Sequence, residues 1–109
     1  MDIIETIKEQ IASNPVLLYM KGSPNAPQCG FSQRASQAVM ACGERFAFVD
    51  ILQNPDIRAN LPAYANWPTF PQLWVDGELV GGCDIITEMH ESGELAPLIK
   101  AAVSKVAEA

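Results

Sequence analysis

Cys29-Gly30-Phe31-Ser32 follows an apolar run, Val16-Leu17-Leu18-Tyr19-Met20, and a polar loop, and it opens an amphipathic stretch. The pattern sets a cysteine at a strand-to-helix junction, where the helix begins. A helix N-terminus carries main-chain N–H groups without intrahelical partners and a partial positive charge. Both favour thiolate over thiol, so a cysteine there serves as a nucleophile or a metal ligand. In the two-cysteine form of such a motif, C-x-x-C, the second thiol closes a disulfide on the first. Ser32 stands at that second position, and a hydroxyl cannot close a disulfide. The motif keeps the activated thiol and lacks a local resolving partner. The competing role, a small residue packed in a core, fits poorly with a loop before Cys29 and Gly30 after it.

The other chemistry-bearing residues are sparse. Lys21 ends the first apolar run; a cation there lowers a nearby thiol pKa and pairs with carboxylates, although a lone lysine is ordinarily a solvated charge. Arg58, by itself, reads as a surface charge. Gly81-Gly82-Cys83-Asp84 joins a strand to a helix, and that second helix N-terminus suits an anion, with Asp84 as the expected N-cap. Cys42 falls on an apolar helical face and reads as core. His90, the one histidine, reads as a solvated helix residue. A structural zinc site needs four ligands, and Cys29, Cys42 and Cys83 are too widely spaced to suggest one.

The elements that must position these residues follow from periodicity. Ile3, Ile4, Ile7 and Ile11 recur at helical spacing up to Asn14-Pro15. Residues 16–20 read as a buried strand, and Lys21 to Gln28 as a Gly/Pro/Asn loop. Phe31, Ala35, Ala38, Val39 and Cys42 make one helical face, with Phe31 its first core anchor and Gly43 its stop. Phe46-Ala47-Phe48-Val49 reads as a second strand, parallel to the first. Asn54-Pro55 starts a third helix as N-cap and first helical residue. Ile57, Leu61 and Tyr64 form its apolar side, and Pro62 is expected to break or kink it. Asp76-Gly77 between Gln72-Leu73-Trp74-Val75 and Glu78-Leu79-Val80 signals a hairpin. Ile85, Ile86 and Met89 mark a fourth helix ending at Gly93, and Leu95, Leu98, Ile99, Ala102 and Val106 a fifth. The order α-β-α-β-α-β-β-α-α predicts a right-handed βαβ unit followed by ββα. Its simplest architecture is an α/β fold: a four-stranded mixed sheet flanked by helices on both faces.

Length and charge bound the function. The chain has 109 residues, enough for one domain with a modest core, 1–109. Hydrophobic residues make up 49% and charged residues 18%, a composition that argues against disorder. The formal net charge of -6, without a Lys/Arg cluster, argues against nucleic-acid and anionic-membrane partners. No apolar run approaches a membrane span of about 20 residues. The acidic start, Met1-Asp2-Ile3-Ile4-Glu5, is unlike a signal peptide. The expectation is a cytoplasmic protein whose cysteines are reduced at rest.

With the thiol motif at its first βα junction, the order of elements resembles the thioredoxin fold. Four blocks sharpen the resemblance: Lys21-Gly22-Ser23-Pro24, Pro27-Gln28-Cys29-Gly30-Phe31-Ser32, Trp67-Pro68-Thr69-Phe70-Pro71 and Gly81-Gly82-Cys83-Asp84. In this order and spacing they look like the CGFS-type monothiol glutaredoxins, in particular the short single-domain bacterial members, over nearly the whole chain. The resemblance implies a glutathione site. Lys21 contacts glutathione in that family, and Arg58 takes the glycine carboxylate end. Pro71 corresponds to a cis-proline facing the active cysteine, so that Phe70 N–H and C=O pair with the peptide as a strand would. Cys83 and Asp84, at the second helix N-terminus, meet the γ-glutamyl carboxylate. Trp67 reads as core packing, and Phe70 as both core and binding residue.

Two activities compete on these residues. In a glutathione-dependent oxidoreductase, the Cys29 thiolate attacks a protein–glutathione disulfide, becomes glutathionylated, and is released by a second glutathione. In an iron–sulfur carrier, a 2Fe-2S cluster needs four thiolates. Two Cys29 thiolates from a homodimer and two from glutathione supply them. Cys83 as a distant resolving thiol stays open. The resemblance favours the cluster role, because Ser32 removes the resolving thiol and the Ser23–Gln28 loop is longer than in dithiol glutaredoxins. It also implies BolA-type proteins and iron–sulfur apoproteins as partners.

Overall fold

The computed structural model describes residues 2–108, with side chains through Lys105. Five helices and a four-stranded sheet form in the expected order. They are α1 (Ile3–Ser13), β1 (Val16–Met20), α2 (Gly30–Ala41), β4 (Ala47–Asp50), α3 (Pro55–Ala65), β5 (Gln72–Val75), β6 (Glu78–Gly81), α4 (Cys83–Ser92) and α5 (Leu95–Glu108). The loop expected between Lys21 and Gln28 also holds a two-stranded ribbon, β2 (Gly22–Ser23) with β3 (Ala26–Pro27). The sheet order is β4-β1-β5-β6. β1 runs parallel to β4 and antiparallel to β5, and β5 pairs antiparallel with β6.

β1 is central, and all five of its residues are buried. Alternate side chains enter opposite layers. Val16, Leu18 and Met20 pack with Ala35 and Val39 of α2, Ile86 of α4 and Ile99 of α5. Leu17 and Tyr19 pack with Ile7 and Ile11 of α1, Ile57 and Leu61 of α3, and Trp74. Burial on both faces explains why the strand reads as a continuous apolar run rather than an alternating one. The tight β5–β6 turn has Asp76 at φ 53 and Gly77 at φ 79, the left-handed pair that an Asp-Gly hairpin requires.

Several local expectations give way. Pro62 does not break α3, which runs on to Ala65 and ends at Asn66 in the left-handed conformation. Tyr64 and Leu98 lie exposed on their helices. Asn54 precedes Pro55 as expected, but its side chain donates to the Asp50 carbonyl instead of capping α3. The side chain of Val106 lies outside the described residues. Among the described residues, no helix is long and apolar enough to cross a membrane.

The registers bring the chemistry to one end of the sheet. Met20 pairs with Asp50, Tyr19 with Gln72, and Leu73 with Gly81. The C-terminal ends of β1, β4 and β6 therefore share an edge with the N-terminal end of β5. Lys21, the N-terminus of α2, the 66–71 segment and the N-terminus of α4 all emerge there.

Candidate functional site

Cys29 is the N-cap of α2, in extended conformation and half exposed. Its carbonyl accepts the Gln33 N–H at 2.8 Å, the first bond of the helix. The thiol pKa is lowered, chiefly by the Ser32 main-chain N–H. The Phe31 N–H, the Lys21 charge and the Ser32 hydroxyl add to this, and partial burial opposes it. Helix geometry thus does most of the activation, as the position in sequence implies. Cys42 behaves oppositely: half buried at the end of α2, it donates to the Ala38 carbonyl, and burial raises its thiol.

The approach to Cys29 is held by a set of short bonds. Ser32 is fully buried, and its hydroxyl accepts the Lys21 N–H at 3.0 Å. Gln28 N–H donates to the Lys21 carbonyl at 2.9 Å. Asp50 accepts from both Gly22 and Leu52 main-chain N–H groups, at 3.0 and 2.9 Å. Gly22 sits at φ 90, and a Cβ there would lie 2.6 Å from the Ala26 carbonyl oxygen. Only glycine lets the ribbon fold back this tightly. The Ser23–Gln28 segment is therefore a built structure rather than a plain loop.

Phe31 does not anchor the core. It is 54% exposed, with the Arg34 guanidinium 5.2 Å from its ring centroid. The buried face of α2 is Ser32, Ala35, Ser36, Ala38 and Val39. Ala35, Ala38 and Val39 lie on it as expected and Cys42 packs against the same core; apolar periodicity missed its two serines and put Phe31 in their place.

A cleft of about 710 Å³ opens beside α2. Five of the expected site residues line it: Lys21, Arg58, Phe70, Cys83 and Asp84. Cys29 is not part of the wall, but Phe31 in the same helical turn is, and so is Lys21, whose charge acts on the thiol. Neither Lys21 nor Arg58 forms an ion pair among the described residues. The cleft thus offers two uncommitted cations. The Phe70–Pro71 bond is cis, as the resemblance implies.

At the far wall, Gly82 rather than Asp84 is the N-cap of α4. β6 ends at Gly81, Gly82 follows in extended conformation and the helix already begins at Cys83, so Asp84 falls within the first turn and makes no capping bond. A Cβ on Gly82 would approach the Pro71 carbonyl oxygen to 3.3 Å and the Trp67 Nε1 to 3.4 Å. Glycine thus lets the start of α4 close on the 66–71 segment. Cys83 is buried, its Sγ 3.9 Å from the Thr87 hydroxyl on the next turn of α4. His90 is exposed.

Sequence reasoning missed Trp67 as a wall residue: it lines the cleft, and its buried indole N–H has no partner. It also missed Gln72, a fully buried side chain behind that wall. An amide opening an otherwise apolar strand, Gln72-Leu73-Trp74-Val75, was the signal available.

Known proteins are similar in sequence and fold. The glutaredoxin family model matches residues 16–80. Glutaredoxin 4 of Escherichia coli strain K12 is 74% identical over 102 residues, spanning 94% of this chain and 89% of that protein. The solution structure of reduced poplar apo GrxS14 superposes with a TM-score of 0.78 at 43% identity, covering 94% of each chain. A buckwheat glutaredoxin–glutathione complex shares the fold, with a TM-score of 0.78 at 24% identity over 91% of this chain and 88% of that one. A thiol activated at the start of α2, a cleft faced by a cis-proline, and this similarity over nearly the full length place the chain in the glutaredoxin family, among the CGFS monothiol glutaredoxins.

Proposed function

We propose that this chain binds glutathione in the cleft and, as a homodimer, carries a 2Fe-2S cluster for delivery to apoproteins. The observation that carries this reading is the convergence of Lys21, Arg58, Phe70, Cys83 and Asp84 on one cleft, with a single activated thiol in the helical turn that lends it Phe31. The donor set fits a tripeptide with two carboxylates. Lys21 and Arg58 offer cations for the glycine carboxylate end. The Phe70 main chain offers a peptide-like pairing edge, and the uncapped N-terminus of α4 at Cys83 and Asp84 suits the γ-glutamyl carboxylate. When bound, glutathione supplies a thiol beside Cys29.

The cluster is cargo, and its ligand count drives the assembly. Four thiolates are needed. Among the described residues, no three His, Cys, Asp or Glu side chains converge as a ligand set. Cys29 contributes one thiolate per chain, so two chains and two glutathiones complete the four. The exposed sulfur at the start of α2 suits a bridge between copies. Cytoplasmic cluster delivery, with BolA-type proteins and iron–sulfur apoproteins as partners, follows by family resemblance.

A second reading, deglutathionylation through Cys29, draws on the same lowered thiol pKa. That chemistry needs only one cysteine, so Ser32 leaves it open; the built Ser23–Gln28 segment before Cys29 favours a glutathione pose suited to ligation rather than turnover.

Anaerobic reconstitution with iron and sulfide, with and without glutathione, tests the proposal. The expected result is visible absorption and a dimer on a sizing column only when glutathione is present. A colourless monomer, or a cluster equally stable without glutathione, contradicts it.

A further inference from the structure

Gln72 is one of three fully buried polar residues among those described, with Ser32 and Ser36. A buried amide without partners is costly, and an aliphatic side chain would serve the core of β5 better. Gln72 instead has partners for every role its amide can play. Its Nε2 donates to the Trp67 carbonyl at 3.1 Å and to the Thr69 carbonyl at 3.3 Å. Its Oε1 accepts from the Trp74 indole N–H at 3.2 Å. Carbonyls only accept and an indole N–H only donates, so these partners fix which way the amide points.

The two carbonyls belong to the segment between α3 and β5, which supplies Trp67 to Pro71 to the cleft wall. That segment is outside regular secondary structure, and two of its residues are prolines, which have no N–H to donate. At its start, the Trp67 N–H is tied to the Pro62 carbonyl at 3.0 Å. From there to the strand, the side chain of Gln72 is what grips its main chain from behind. Phe70, whose main chain faces the proposed peptide ligand, follows directly after the second gripped carbonyl.

We infer that Gln72 is a positioning residue for the ligand cleft: its buried amide clamps the Trp67 and Thr69 carbonyls and so holds the Phe70 main chain ready for glutathione. This rests on reading the cleft as a glutathione site. Gln72 makes no contact with the cleft itself and acts through the segment.

The test compares Gln72→Met, which keeps volume and removes the amide, with Trp74→Phe, which removes the indole partner of Gln72 and part of the same core but leaves both carbonyl contacts of the amide. Trp74 lies outside the cleft and serves as a control for general core damage. Glutathione is titrated against each folded variant, and main-chain order parameters are measured by nitrogen relaxation. Gln72→Met is expected to weaken glutathione binding at least about tenfold, a difference of about 1.4 kcal/mol. Order parameters at Trp67, Thr69 and Phe70 should fall from about 0.85, the rigid range, towards about 0.6. Trp74→Phe should stay within about twofold of the parent in affinity. Should Gln72→Met not fold, Gln72→Asn carries the same test, since its shorter side chain draws the amide back from both carbonyls. An affinity within twofold of the parent, unchanged order parameters, or an equal loss in Trp74→Phe overturns the inference. If the parent itself binds no glutathione, the reading of the cleft fails, and the order parameters alone decide whether Gln72 holds the segment.

Discussion

The start of α2 favours the thiolate of Cys29, and the pH dependence of its alkylation should show it. Since the Ser32 N–H is the leading cause of the lowered pKa, alkylation of Cys29 should reach half its maximal rate below the ordinary thiol pKa of about 8.5. Lys21→Ala should move that midpoint up only slightly, because its charge ranks behind the main-chain N–H groups. A depressed folded-state pKa adds stability above the unfolded value, and that contribution is lost as pH falls through the folded one. Denaturant midpoints of parent and Cys29→Ser should therefore diverge as pH rises through the lowered folded-state pKa towards about 8.5, and the gap should stay constant above it. Cys29→Ser should fold and fail to hold a cluster. Cys42→Ser should keep the cluster and lose about 1 kcal/mol or less, because Cys42 is half buried and a serine can keep the bond to Ala38. Ser32 changes meaning in the structure. In sequence it is a missing thiol; in the fold it is also a buried acceptor for Lys21. Ser32→Cys should gain glutathione-coupled disulfide exchange activity while losing about 1 kcal/mol in a denaturant titration, since sulfur accepts weakly. Unchanged activity would show that the loop and glutathione pose, rather than Ser32, limit turnover. The role of Ser32 could not be read from the chain, because its partner is a main-chain N–H eleven positions away.

Among the elements, those with strong periodicity or turn chemistry were legible: α1 from its isoleucines, the hairpin from Asp76-Gly77, and β1 from its apolar run. The misses share a physical cause. Phe31 was assigned to the core because apolar residues were counted and the inward serines of α2 were not. Asp84 was expected to cap α4, but the extended Gly82 between β6 and Cys83 takes the cap position. Pro62 was expected to break α3, yet the helix tolerates it, with Leu61 buried beside it. The ribbon β2–β3 was hidden because it depends on Asp50, on a strand far along the chain. It also makes a firm prediction. Gly22→Ala should lower stability by about 2 kcal/mol or more, since both the positive φ and the contact with Ala26 oppose a side chain. The same variant should slow Cys29 alkylation by disturbing the Gln28–Lys21 bond. Chemical denaturation and alkylation kinetics on one preparation check both effects.

For the whole molecule, the sheet registers are what turn four separated sequence blocks into one cleft. Family resemblance named the blocks, and the fold places their residues on a common wall. Lys21 and Arg58 stand there without ion-pair partners among the described residues. Each should contribute on the order of 1.5–3 kcal/mol to holding a carboxylate, less where water screens it. Lys21→Ala and Arg58→Ala should weaken glutathione binding, and the loss should shrink with added salt. Equal affinities in parent and variants would reduce both residues to solvated surface charges. The central claim, that two chains share one cluster through glutathione, is tested most directly by native mass spectrometry of the anaerobically reconstituted protein. The predicted mass is two chains, one 2Fe-2S cluster and two glutathione molecules. A cluster-bearing species that lacks glutathione, or one with a single chain, would contradict the account.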